Sequence, residues 1–104
     1  MLAELEMVPL GRPGASVSVV LAKVARLIDD SGLDYRVGPM GTTVEGSWDQ
    51  VMALAKRCHD ALLHDADRVL TVIKIDDRKD KPGLGRITQK VASLEAHVGK
   101  PLKK

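Results

Sequence analysis

The run Gly38-Pro39-Met40-Gly41-Thr42-Thr43-Val44-Glu45-Gly46 holds the residues of this chain best suited to chemistry: a carboxylate and two hydroxyls among glycines. Gly38, Pro39 and Gly41 mark a tight connection, and Thr42, Thr43 and Val44 favour a strand. A period of two puts Met40, Thr42 and Val44 on one face and Gly41, Thr43 and Glu45 on the other. A strand that buries its Met/Val side then presents a small hydroxyl and an acid, which would make a floor for a small polar or cationic ligand. An ordinary half-exposed strand shows the same alternation. Spacing alone leaves both readings open.

Other candidates carry less. The Gly11-Arg12-Pro13-Gly14-Ala15-Ser16-Val17-Ser18 segment opens onto a helix start, where backbone N–H groups favour anions. It lacks a Lys-Ser/Thr after its glycines and fits no phosphate-loop pattern, so capping is the simpler role for its serines. His59 and His64 stand five residues apart on a helix and fall on different faces. Cys58 lies on an apolar stripe and reads as core. Asp76, Asp77 and Asp80 alternate with Arg78, Lys79 and Lys81, which suits a solvated loop better than a calcium site. No metal and no cofactor are expected. No nucleophile–base pair can be assembled, so the chain reads as a non-enzyme.

Bulk properties narrow the classes further. The chain has 104 residues, enough for one two-layer domain. A net charge of +2 is too small to argue for nucleic acid. With no Phe, one Trp and one Tyr, the core must be aliphatic, and the central strands have no aromatics on which bases could stack. No apolar run approaches the roughly 20 residues of a membrane span. The single cysteine excludes an intrachain disulfide, and the expected location is the cytoplasm.

The elements that must position these residues follow from periodicity. Leu2 to Val8 alternates as a strand, with Leu5 and Met7 on one face and Glu4, Glu6 and Val8 on the other; Pro9 to Ala15 reads as a loop. A helix begins near Ser16 or Ser18, carries Val17, Val20, Leu21, Val24, Leu27 and Ile28 in one stripe, and stops at Gly32. The strand Leu33 to Val37 pairs with Gly41 to Glu45. Ser47 with Gln50 is a capping box for a second helix buried through Val51, Leu54, Ala55, Cys58, Ala61 and Leu62. The strand Arg68 to Ile75, a charged loop and a last helix through Ile87, Val91, Leu94 and Val98 complete the chain. The order β-α-β-β-α-β-α predicts an α+β fold: a ferredoxin-like βαββαβ sandwich with an additional C-terminal helix. One domain is expected over residues 1–98, with 99–104 a short, frayed basic tail.

In that topology the first and third strands are central and the fourth is an edge. An edge as apolar as Val69-Leu70-Thr71-Val72-Ile73 needs cover, from the last helix or a second subunit, and a homo-oligomer is expected. The uncovered sheet face would gather Glu4, Glu6, Thr43, Glu45 and Lys74. That set suits a cation or an amine-bearing heterocycle, with Glu45 accepting two N–H bonds from an aminopyrimidine edge.

Several segments together resemble a known family. They are Met7-Val8-Pro9-Leu10-Gly11, Ser16-Val17-Ser18, Ser31-Gly32-Leu33-Asp34-Tyr35, Pro39-Met40-Gly41-Thr42 with Glu45-Gly46, and Arg68 to Asp76 with Arg78. The chain is similar to the thiamine-binding-protein family (the MTH1187/YkoF-like group, UPF0045) from Leu2 to about Val98. The resemblance implies a ferredoxin-like subunit, self-association to a dimer or tetramer, and binding of thiamine or its hydroxymethylpyrimidine moiety rather than catalysis. It would place Met40, Gly41, Thr42, Thr43 and Glu45 in the pocket, Glu45 receiving the aminopyrimidine, with Ser18 added by the Ser-Val-Ser segment. The partners would be that small molecule and further copies of the chain, with no nucleic acid and no membrane. The competing reading is a structural or regulatory interaction module whose open sheet face is only an oligomer interface.

Overall fold

The computed structural model describes residues 1–11 and 17–104. Of the loop and the cap offered above, residues 12–16 lie outside the described residues. The elements are β1 (Leu2–Leu10), α1 (Val17–Asp30), β2 (Asp34–Val37), β3 (Thr42–Glu45), α2 (Trp48–Asp65), β4 (Arg68–Asp76) and α3 (Arg86–Val98). The strands form one antiparallel sheet in the order β2-β3-β1-β4, so β1 and β3 are central as the ferredoxin-like pattern predicts.

Alternation in the strands sets the two faces. Ala3 lies opposite Val44 and Ile75, and Leu5 opposite Thr42 and Ile73, which puts one apolar row under the helices. Around it pack Ile28 of α1 and Val51, Leu54, Ala55 and Cys58 of α2. Cys58 is fully buried, and desolvation raises its thiol pKa, as fits a core residue. The Ser47–Gln50 capping box forms: the Gln50 amide donates to Ser47 Oγ at 3.2 Å and the Ser47 amide to Gln50 Oε1 at 2.9 Å. Past the end of α1, Gly32 takes φ 78°, a left-handed conformation that a β-carbon would strain.

Three features differ from the sequence reading. β1 continues through Pro9 to Leu10, paired along its whole length with β4. A proline is accepted there because β1 is an edge on its other side beyond Leu5, so a missing N–H breaks no ladder on that side. Secondly, α3 packs against β3 and β2, and reaches β4 only at its end, where Lys90 Nζ donates to Asp76 Oδ2 at 2.8 Å. The apolar edge strand is left without that helix as cover: Leu70 and Val72 stay 47% and 53% exposed. Thirdly, the basic tail folds back on α3, the Leu102 amide and Lys104 Nζ both donating to Glu95 Oε2 at 2.6 and 2.9 Å. These two contacts hold the Glu95 carboxyl below its ordinary pKa, the Lys104 bond contributing most.

Core and periphery should respond differently to truncation. Leu54→Ala is expected to lower unfolding free energy by about 2–5 kcal/mol, read from the denaturant midpoint. The half-exposed Leu94 of α3 should lose no more than about 0.5 kcal/mol on the same change. Equal losses would place α3 in the core.

Candidate functional site: a cleft where the sheet stops short

β1 is nine residues long and β3 four. Their pairing runs from Leu2 opposite Glu45 to Leu5 opposite Thr42 and then ends. From Glu6 onward, β1 has no strand partner on that side among the described residues. The β2–β3 connection turns just below the gap, closed by the Gly38 amide donating to Gly41 O at 2.8 Å. Across it, α1 presents Ser18, Leu21, Ala25 and Ile28. The result is a cleft of about 580 Å³ between α1, the open stretch of β1 and the turn from Val37 to Thr42.

Its walls are mostly apolar, from Leu5, Met7, Leu21, Val24 and Ile28, with Ser18 and Thr42 as polar points and Glu6 at the open edge, its side chain on the outer sheet face beside Gly41. Gly41 makes the junction close. A β-carbon at this position would stand 3.0 Å from Glu6 Cγ and 3.2 Å from both Glu4 Cγ and Leu5 O. Any larger residue would push the turn away from β1 or displace the Glu6 side chain. Glu6 itself is half-buried and has no hydrogen bond or ion pair among the described residues. Its neighbour along the face, Glu4, has a cation, Lys74 Nζ, at 3.8 Å.

Of the six candidate residues, the cleft brings together Ser18, Met40, Gly41 and Thr42. Met40 stands at the rim, 85% exposed. Thr43 turns to the opposite face of β3, beside its partner Glu4. Trp48 opens α2, is 55% exposed and does not line the cleft.

Glu45 requires a correction. It lies on the sheet face expected for it, but that face is covered there, and Glu45 is only 3% exposed. Its Oε1 accepts from the Gly85 and Arg86 amides at 3.0 and 3.1 Å, and its Oε2 from the Arg86 amide at 3.0 Å. The cause is local. α3 starts at a glycine with φ 88° that has no side chain to cap the helix, so its first amides need an acceptor from elsewhere. A carboxylate also suits the positive end of the helix dipole.

Glu6 was recognisable in the sequence only as one of several open-face acids. Its special position depends on where β3 stops beside β1, and local pattern does not encode that register. No group of three or more His, Cys, Asp or Glu among the described residues could hold a metal ion. His59, on α2, instead has Nδ1 2.6 Å from Thr71 Oγ1 of β4.

This fold is that of a defined class. The chain belongs to the thiamine-binding protein family, whose profile matches residues 3–95. It is 37% identical over 102 residues to the UPF0045 protein Mb1933 of Mycobacterium bovis, covering 96% of each chain. The crystal structure of MJ1052 from Methanocaldococcus jannaschii superposes with a TM-score of 0.79 at 35% identity, covering 89% of this chain and 93% of the other. TM0486 of Thermotoga maritima, whose given name connects it provisionally with thiamine biosynthesis or salvage, superposes with a TM-score of 0.75 at 28% identity, covering 89% and 96%.

If Glu45 holds α3, Glu45→Gln should lower stability by about 1–3 kcal/mol, the range for a charge-assisted bond between buried groups. Hydrogen exchange at the first turn of α3 should accelerate with it. An unchanged midpoint and unchanged exchange would show that other contacts hold the helix.

Proposed function

We propose that this protein binds thiamine or its hydroxymethylpyrimidine moiety without catalysis, as a cytoplasmic homo-oligomer that senses, sequesters or delivers the vitamin. The observation that carries the reading is the apolar cleft beside the unpaired stretch of β1, at whose open edge Glu6, on the outer sheet face, forms no hydrogen bond or ion pair among the described residues. A half-buried acid without a partner forgoes part of its hydration, and a ligand that brings N–H donors or a positive charge restores it. An aminopyrimidine supplies the donors and a thiazolium the charge. The flat faces of both rings suit the Leu5, Met7 and Leu21 walls, while Ser18 and Thr42 offer hydroxyls at the ends. The volume lies within the roughly 300–1,000 Å³ usual for small-ligand sites. Family membership and the provisional name of TM0486 support the same ligand class. In this reading Glu45 and Thr43 act at a distance, by fixing the end of β3, while Gly41 and Met40 shape the mouth.

Self-association is supported by what α3 leaves bare. Val8, Leu70 and Val72 share one sheet face and are each about half exposed, beside the unpaired edge of β4. A second copy laid on this strip would cover both the apolar side chains and the free edge. The same strip favours the competing reading, an interaction module whose partner is another protein.

Calorimetric titration with thiamine and with hydroxymethylpyrimidine tests the binding. Saturable heat is expected for both, with Glu6→Gln weakening the affinity by about 1.5–3 kcal/mol, as for loss of a charge-assisted bond. Absence of heat with either ligand would move the reading to the interaction module. Sedimentation should return a multiple of the 11.2 kDa chain mass, and the pair Leu70→Glu with Val72→Glu should return the monomer. A monomeric wild type would remove the oligomer.

A further inference from the structure

A second cavity, of about 230 Å³, lies at the opposite end of β1, against Leu2 and under the loop that joins β4 to α3. Four cationic side chains line it: Arg78, Lys79, Lys81 and Arg86. Two carboxylates, Asp76 and Asp77, line it as well. Their existing partners separate the committed charges from the rest. Arg78 is held by Asp80, its Nε donating to Oδ1 at 3.0 Å and its Nη2 to Oδ2. Asp76 is held by Lys90 at 2.8 Å, and that bond keeps its carboxyl below its ordinary pKa. Lys79, Lys81 and Arg86 form no ion pair among the described residues, although Arg86 acts on Asp76 and Lys81 on Asp80 at longer range; of the two lining carboxylates, Asp77 also forms none.

We propose that this cavity is a binding site for a small divalent anion of the phosphate type, a phosphate monoester or a diphosphate. Charge complementarity selects that class: three cations outside any ion pair, facing one carboxylate outside any ion pair, leave an excess that a dianion balances. The half-buried Arg86 guanidinium offers the planar, bidentate donor set that phosphate oxygens accept well, and the two lysines add mobile point charges. The Gly85 and Arg86 amides take no part, because Glu45 already occupies them. Nor is the cavity an extension of the cleft at Glu6. Leu2 and Glu6 are four residues apart along an extended strand, about 13 Å at ~3.3 Å per residue. The two sites therefore take separate molecules, and this one does not depend on the thiamine reading.

The test is titration of the full chain with pyrophosphate, inorganic phosphate and sulfate at low ionic strength, by calorimetry and amide chemical shifts. Saturable binding of pyrophosphate is expected, with shifts at residues 78–86. Arg86→Gln and Lys81→Gln should each weaken it at least tenfold. Lys56→Gln, which removes a lysine paired with Asp60 on the far surface of α2, should leave it unchanged, as should Glu6→Gln. Lys79→Gln serves as the third site variant if Arg86→Gln alters the thermal unfolding of α3. Pyrophosphate binding without binding of inorganic phosphate would identify a diphosphate site; comparable affinities per charge would identify a monophosphate site. Absence of saturation, or equal weakening by Lys56→Gln, would overturn the proposal and leave only the general positive field of the loop.

Discussion

Much of this structure follows from an inequality of length. β1 extends for nine residues beside a β3 of four, so the sheet is closed over half of its central strand and open over the rest. In the closed half Ala3, Leu5 and Val44 can be sealed under α1 and α2, which supplies the apolar burial that stabilises a chain with almost no aromatic residues. In the open half the same strand cannot be sealed, and α1 and the β2–β3 turn flank a cleft. Pro9 belongs to that open half, where a strand without one of its amides loses least. One register decision thus fixes both the core and the site.

The acids of the outer sheet face show how strongly tertiary partners override pattern. Glu4, Glu6 and Glu45 share a face, yet each meets a different environment. Glu4 lies near Lys74 in solvent, where such a pair contributes little. Glu45 is enclosed and serves as the cap that α3 cannot make for itself. Glu6 has no hydrogen bond or ion pair among the described residues. A buried carboxylate already satisfied by backbone amides holds structure in place; a half-buried one left unsatisfied remains available to a ligand. The division of labour between Glu45 and Glu6 rests on that difference.

The architecture was legible in the sequence because its signals are local. Alternation in Leu2–Val8, the Ser47–Gln50 cap, the stripe from Val51 to Leu62 and the glycine stop at Gly32 each depend on neighbours within a turn or two. The Gly38–Thr42 turn was visible for the same reason, and with it Met40, Gly41 and Thr42 at the cleft. Glu45 was visible as an unusual acid, but not its partner: Gly85 lies forty residues downstream, and nothing near Glu45 announces a helix start above it. The docking of α3 on β2 and β3 was hidden too, since Leu94 and Val98 keep a helical period while remaining about half exposed. A periodic apolar stripe says that a face is wanted, not which surface receives it.

The central claim is that the ligand sits in the gap beside Glu6 and not over Glu45. The most direct measurement is an amide chemical-shift map of the protein titrated with thiamine. The account predicts saturable shifts concentrated at Glu6–Val8, Ser18–Ala25 and Val37–Thr42, with Glu45, Gly85 and Arg86 unmoved. Shifts centred on Glu45 and the first turn of α3, with the cleft silent, would contradict it.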